Sequence, residues 1–175
     1  MSPKEYPQNV YLVGMMGAGK TRVGKILAKR LGFELVEIDK LIEKEQGKAI
    51  NDIFAESGEE GFRDLETEVL SKVSGASEQV VSTGGGVVIR EKNRSRMRDT
   101  GVSVYLSAPV EVLWKRINKD KVRPLLHVDD PLGALNAIFK ERSGLYLQAD
   151  IVVDTEHLDS GGVVGEIIKR LDKMR

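Results

Sequence analysis

Residues 14–21 read Gly-Met-Met-Gly-Ala-Gly-Lys-Thr, after the apolar run VYLV and before a stretch with apolar residues at Val23, Ile26, Leu27, Ala28 and Leu31. A G-x-x-x-x-G-K-[ST] spacing set between a strand and an amphipathic helix constrains this chain more than any other feature. Its glycines let the backbone turn so that successive N–H groups face phosphate oxygens, at the positive end of the following helix. Lys20 would bridge the β- and γ-phosphates, and the Thr21 hydroxyl would sit on one Mg²⁺ ion. Gly17, Ala18, Gly19, Lys20, Thr21 and Arg22 are accordingly the expected nucleotide-binding residues. A Gly-rich link with no ligand would explain one glycine, but not the Lys-Thr pair at this spacing.

Beyond the loop, short β-branched runs alternate with longer amphipathic stretches, the pattern of βα units around a mostly parallel sheet. Strands are expected at 10–13, 34–38, 79–82, 102–106 and 151–153, and Gly32 reads as a helix C-terminal cap. With 175 residues the chain fits one domain, 1–175. Two regions break the alternation. Residues 40–74 read as several short helices inserted between the second and third strands. Residues 118–130, polar and charged around Arg123-Pro124, read as a loop long enough to act as a lid.

A P-loop alone leaves GTPases, ATPases and small-molecule kinases open. Neither an N-K-x-D nor a T-K-x-D segment for guanine is present, and the expected third strand runs QVVST into Gly84-Gly85-Gly86 instead of ending in Asp or Asp-Glu. Three glycines at the carboxyl end of a buried strand let a ligand approach the backbone closely, or else make a flexible turn. Glu37 and Asp39 alternate to one side if the second strand continues through them. Such a pair could hold the water shell of Mg²⁺ or accept a proton from an attacking hydroxyl, while Asp39 could equally cap a helix starting at Lys40. Arg63, Arg123 and Arg142 sit in FRDLE, VRPLL and ERSGLY, and guanidinium groups grip carboxylates and phosphates through paired N–H bonds. His127 and His157 are too isolated for a metal or acid-base site, and Trp114 shares helical spacing with Val110 and Ile117, which points to core packing.

In order along the chain, GMMGAGKT, IDKLIE, IFAESGEEGFRDLE, STGGG, VYL, VRPLL, ERSGLY and ADIVVDT resemble the shikimate kinases. The resemblance implies an α/β, three-layer P-loop kinase fold of the nucleoside-monophosphate-kinase type. In that fold a five-stranded parallel sheet is flanked by helices and carries a substrate-binding insertion and an ATP lid. It implies transfer of the γ-phosphate of ATP to the 3-hydroxyl of shikimate, on the route to chorismate and aromatic amino acids. By matching motifs, Asp39 should bind the substrate hydroxyls and accept a proton. Arg63 and Arg142 should hold the shikimate carboxylate, and the Gly85 backbone should complete that site. Arg123 should fold over ATP, Arg116 should lie near the nucleotide, and the turn at 155–161 should enclose adenine. The catalytic set is then Lys20, Asp39 and Arg123.

Two departures from the family pattern stand out: Glu37 replaces the usual shorter acid before the substrate aspartate, leaving a role through water on Mg²⁺, and Gly144 replaces a proline beside Arg142. The partners expected are ATP and shikimate, with no nucleic acid and no membrane. Lys plus Arg (27) balance Asp plus Glu (27), so there is no global field to attract polyanions. No apolar run approaches the ~20 residues of a membrane span. Without cysteine or the apolar core of a signal peptide, a soluble cytoplasmic protein is expected; it is also expected to be a monomer. A kinase for gluconate or another hydroxy acid, and a nucleotide-binding module without turnover, are the alternatives.

Overall fold

A computed structural model describes residues 6–117 and 124–175. Among them, five strands, β1 (Asn9–Val13), β2 (Glu34–Glu37), β3 (Gln79–Ser82), β4 (Val102–Ser107) and β5 (Ile151–Asp154), form one sheet in the order β2-β3-β1-β4-β5. Every pairing is parallel, with Leu12 opposite Ser82 on one side and Val104 on the other. Parallel sheets need both faces covered, and β1 and β3 are accordingly buried at every position.

The helices are α1 (Lys20–Leu31), α2 (Ile38–Gln46), α3 (Ile50–Val73), α4 (Glu91–Thr100), α5 (Val110–Ile117), α6 (Pro131–Tyr146) and α7 (Ser160–Lys173). Period-two alternation along β1 divides its side chains between the layers. Leu12, with Leu35 and Val80, meets α1 at Gly24. Tyr11 points the other way, its hydroxyl 2.7 Å from that of Thr100 on α4, and Val13 lies beside Met97 of α4 and Tyr146 of α6. α1 and α7 pack together on the first face. Gly32 caps α1 in the left-handed conformation, as its sequence position predicts, and Trp114 packs on the core from α5.

One expectation needs correction. The second strand stops at Glu37, and Ile38 opens α2, because a buried isoleucine serves a strand end and a helix start equally well. Residues 40–74 hold α2 and α3, in keeping with the several short helices expected there, because α3 is itself two helical segments joined at a kink. The kink is at Gly58 (φ 67°, ψ −176°), where the helical backbone of α3 breaks. Of the expected lid, residues 118–123, including Arg123, lie outside the described residues, while Pro124–Leu126 form a 3-10 turn.

Candidate active site

The carboxyl ends of β1, β2 and β3 open onto one cleft of about 960 Å³. Its donor end is the loop from β1 to α1. Gly14, Gly17 and Gly19 all have positive φ (149°, 81° and 89°), which side-chain-bearing residues rarely adopt, and the Gly19 carbonyl starts α1 by accepting from Val23 N at 2.9 Å. Lys20 folds back over this loop, its Nζ donating to the carbonyls of Gly14 (2.5 Å) and Met15 (3.1 Å). The Thr21 hydroxyl lies 3.4 Å from that of Ser82 at the end of β3, and Arg22 lines the cleft from the exposed side of α1. Arg116 spans from the loop to the turn after β5. It donates to the Gly17 carbonyl at 3.2 Å and to the Thr155 carbonyl at 3.4 Å.

At the far end of the cleft, α3 and α6 bring two guanidinium groups into the interior. Arg63 is 5% exposed and Arg142 3%. Arg63 Nη1 donates to Glu66 Oε1 at 2.9 Å and Nη2 to Glu59 Oε1 at 3.4 Å, while Arg142 Nη2 lies 3.9 Å from that same Glu59 oxygen. Neither Nε has a hydrogen-bond partner among the described residues. Buried cations of this kind call for an anion, and Glu59, with its side chain 48% exposed, is a weak partner for two of them.

Gly84, Gly85 and Gly86 form the floor between the two ends. What their missing side chains admit is the protein's own polar groups. A Cβ on Gly84 would come within 2.5 Å of Glu66 Oε2 and 3.0 Å of Asp39 Oδ1, and one on Gly86 within 2.2 Å of the Arg63 guanidinium carbon. The triple glycine is therefore a packing requirement for the acidic and basic groups around it, more than a flexible turn. Gly85 lies under Arg142, with Nη1 3.5 Å from the position of its absent Cβ.

Asp39, Arg63, Gly85 and Arg142 thus converge on one cleft with Lys20, Thr21 and Arg22, and Arg116 bounds it beside the phosphate loop. Asp39 reaches its place differently from either sequence reading. It occupies the first turn of α2, so it neither alternates with Glu37 along a strand nor caps a helix beginning at Lys40. Glu37 lines the same cleft and pairs with Lys40 at 2.6 Å. His127 and His157 are exposed, away from this constellation. Gly144 sits inside α6, where a Cβ would meet open space.

Glu66 is a member of the site that its sequence setting conceals. Fully buried, its carboxyl is pushed above the ordinary value by loss of water and by the Asp39 carboxylate, against the pull of Arg63 and Arg142. The available signal was the Arg63-x-x-Glu66 spacing, which places both on one helical face. Tyr146 was equally silent; its hydroxyl donates to the Gly85 carbonyl at 2.5 Å.

A family model described as shikimate kinase matches residues 16–172. The shikimate kinase of Persephonella marina is 43% identical over 94% of this chain and 99% of its own, and that of Thermodesulfovibrio yellowstonii 41% identical over 95% and 96%. Among solved structures, shikimate kinase from Acinetobacter baumannii in complex with shikimate superposes with a TM-score of 0.93 at 38% identity, covering 97% of this chain and 95% of that one. By the family model and by identities above 40% along almost its whole length, this chain belongs to the shikimate kinase family.

Proposed function

We propose that this protein transfers the γ-phosphoryl group of ATP to the 3-hydroxyl of shikimate, giving shikimate 3-phosphate and ADP. The observation that carries the reading is the pair of buried guanidinium groups, Arg63 and Arg142, facing the Gly84–86 floor in the same cleft as the phosphate loop. A small carboxylate gripped there would hold its hydroxyls toward the donor end. The relative solved with shikimate bound supports the choice of acceptor.

In the transfer, the acceptor oxygen attacks the γ-phosphorus while the bond from that phosphorus to the β–γ bridging oxygen breaks, and ADP leaves with the electron pair. The hydroxyl proton passes to the Asp39 carboxylate. Lys20 exchanges its two carbonyl acceptors for phosphate oxygens, a modest swap because both sets are hydrogen-bond acceptors. Arg116 and the turn at 155–161 border the base, Gly17, Ala18, Gly19 and Arg22 the phosphates, and Arg123, outside the described residues, closes over them from the lid. Positioning and charge neutralisation do most of the work in such a reaction, and closure keeps water from competing as acceptor.

One Mg²⁺ ion fits the donor end, since the paired hydroxyls of Thr21 and Ser82 are the hard oxygen donors it prefers. Thr21 would hold it directly and Glu37 through its water shell; bound, the ion neutralises charge on the β- and γ-phosphates. We read the chain as one domain, monomeric and cytoplasmic, and no described helix is long and apolar enough to cross a membrane.

The test is a coupled assay of ADP release with MgATP and a panel of acceptors including shikimate and gluconate. Release that depends on shikimate supports the reading. Release driven by another acceptor, or tight ATP binding with no acceptor-dependent release, overturns it.

A further inference from the structure

The Gly84–86 turn is held by two backbone bonds, from Val87 N to Gly84 O and from Ile89 N to Gly86 O, both 3.1 Å. These fix the carbonyls of Gly84 and Gly86. The peptide between them, Gly85 to Gly86, is held through its carbonyl by the Tyr146 hydroxyl. Tyr146 lies behind the turn. It is fully buried, stacked on Tyr105 at 5.0 Å, and lines a separate small cavity with Val13, Val88 and Met97. No peptide described is cis, so the Gly86 N–H points opposite to the Gly85 carbonyl and away from Tyr146, and Gly84, Gly85 and Gly86 all line the cleft. The Tyr146 oxygen also lies 3.7 Å from Met15 Sδ in the phosphate loop.

We propose that Tyr146 is a positioning residue for phosphoryl transfer: its hydroxyl locks the Gly85–Gly86 peptide so that the Gly86 N–H is presented to an oxygen of the bound acceptor. The contact with Met15 ties that donor to the phosphate loop. Without the hydroxyl, two linked glycines leave the peptide plane free to rotate, because no side chain resists it. Burial pushes the Tyr146 hydroxyl up to about 12, against the pull of Arg142 and Arg63 and with a small upward push from Tyr105. It therefore stays a donor across the working pH range. The proposal rests on the acceptor reading given above.

Tyr146→Phe removes the hydroxyl and keeps the ring stack. We expect the KM for shikimate to rise about 5- to 10-fold, the worth of roughly one oriented hydrogen bond, with the KM for ATP within about twofold of the wild type. A role confined to packing would lower the melting temperature and leave both constants alone. Amide spectra provide a readout independent of turnover, in which the Gly86 N–H resonance of the free variant shifts or broadens relative to the wild type. A shikimate KM within twofold of the wild type, or an unchanged Gly86 resonance, overturns the proposal. Should the variant not fold, the wild type decides: turnover of shikimate without a shift of the Gly86 amide on saturation overturns it equally. If the wild type turns over no shikimate, the acceptor reading fails by itself, and the Gly86 comparison between variant and wild type still judges the role of Tyr146.

Discussion

The Arg63 guanidinium lies flat on Gly86, its central carbon 2.2 Å from where a Cβ at that position would stand. Glu66 holds the guanidinium from one side and the Phe62 ring lies 5.3 Å away, so a buried arginine and a bare backbone define each other's place.

Gly86→Ala should therefore act on the acceptor and not on the nucleotide. The added methyl must displace a group that has little room to move, and the displaced arginine would lose its aim. We expect kcat/KM for shikimate to fall about 30-fold or more, equivalent to roughly 2 kcal/mol of a charge-assisted contact, with ATP binding unchanged. Steady-state kinetics varying each substrate in turn checks it. Equal losses for both substrates would mean that the turn serves the whole cleft.

Glu66→Gln should show a pH-dependent gain in relative stability. Because the folded protein raises the Glu66 carboxyl above its ordinary value of about 4.5, the folded state retains a proton that the unfolded chain has already released. The stability this contributes is complete below the ordinary value and is lost as pH rises through the raised one. Glutamine cannot titrate, so the wild type should be close to the variant at low pH and fall behind it as pH rises toward neutrality. Melting temperatures across that range, in matched buffers, measure the difference; a gap that does not vary with pH would count against a raised Glu66.

The sheet was legible because strands buried on both faces carry β-branched runs, as in Gln79–Ser82, where the expected and observed bounds agree. The phosphate loop was legible because each of its residues answers a local need of the backbone or of a phosphate. What the chain conceals depends on packing between distant segments. Arg63 and Glu66 in FRDLE have the spacing of an ordinary surface ion pair, and only the covering of that helix face by the Gly84–86 turn makes them interior groups. Ile38 reads alike as the end of a strand and the start of a helix, so the position of Asp39 had to wait for the fold. Tyr146 carries no signal of its own in the sequence; it is core, and its second use lies in one hydroxyl meeting a backbone carbonyl 61 residues away.

Lys20→Met should separate chemistry from folding. The lysine contributes hydrogen bonds to the Gly14 and Met15 carbonyls, and the Met15 carbonyl keeps the Ala18 N–H as a partner at 3.1 Å, so the loss amounts to about one hydrogen bond, on the order of 1 kcal/mol. In the proposed transfer its charge beside the phosphoryl group is the larger contribution. We expect kcat to fall by about 10²- to 10³-fold, the usual cost of removing one preorganised transition-state donor, with a melting temperature near that of the wild type. Shikimate-dependent ADP release and a thermal melt on the same preparation test both halves, and retained turnover would remove Lys20 from the mechanism.

Gly58 offers the clearest link between backbone geometry and the acceptor end. It interrupts α3 at φ 67° and ψ −176°, a region populated almost only by glycine, and a Cβ there would meet nothing within 4 Å. Any cost of Gly58→Ala is therefore backbone strain and not a clash. Such strain is worth about 1–3 kcal/mol, and for a chain of this size it should lower the melting temperature by roughly 2–4 °C per kcal/mol. The break also separates the turn carrying Ile50 and Phe54 from the turns carrying Glu59, Arg63 and Glu66, all of them but Glu59 lining the cleft. An alanine that relieved its strain by straightening α3 would swing the apolar wall away from the arginine. The expected result is a lower melting temperature together with a raised shikimate KM and an unchanged ATP KM. A variant that loses stability but keeps its shikimate KM would show that the break serves folding alone.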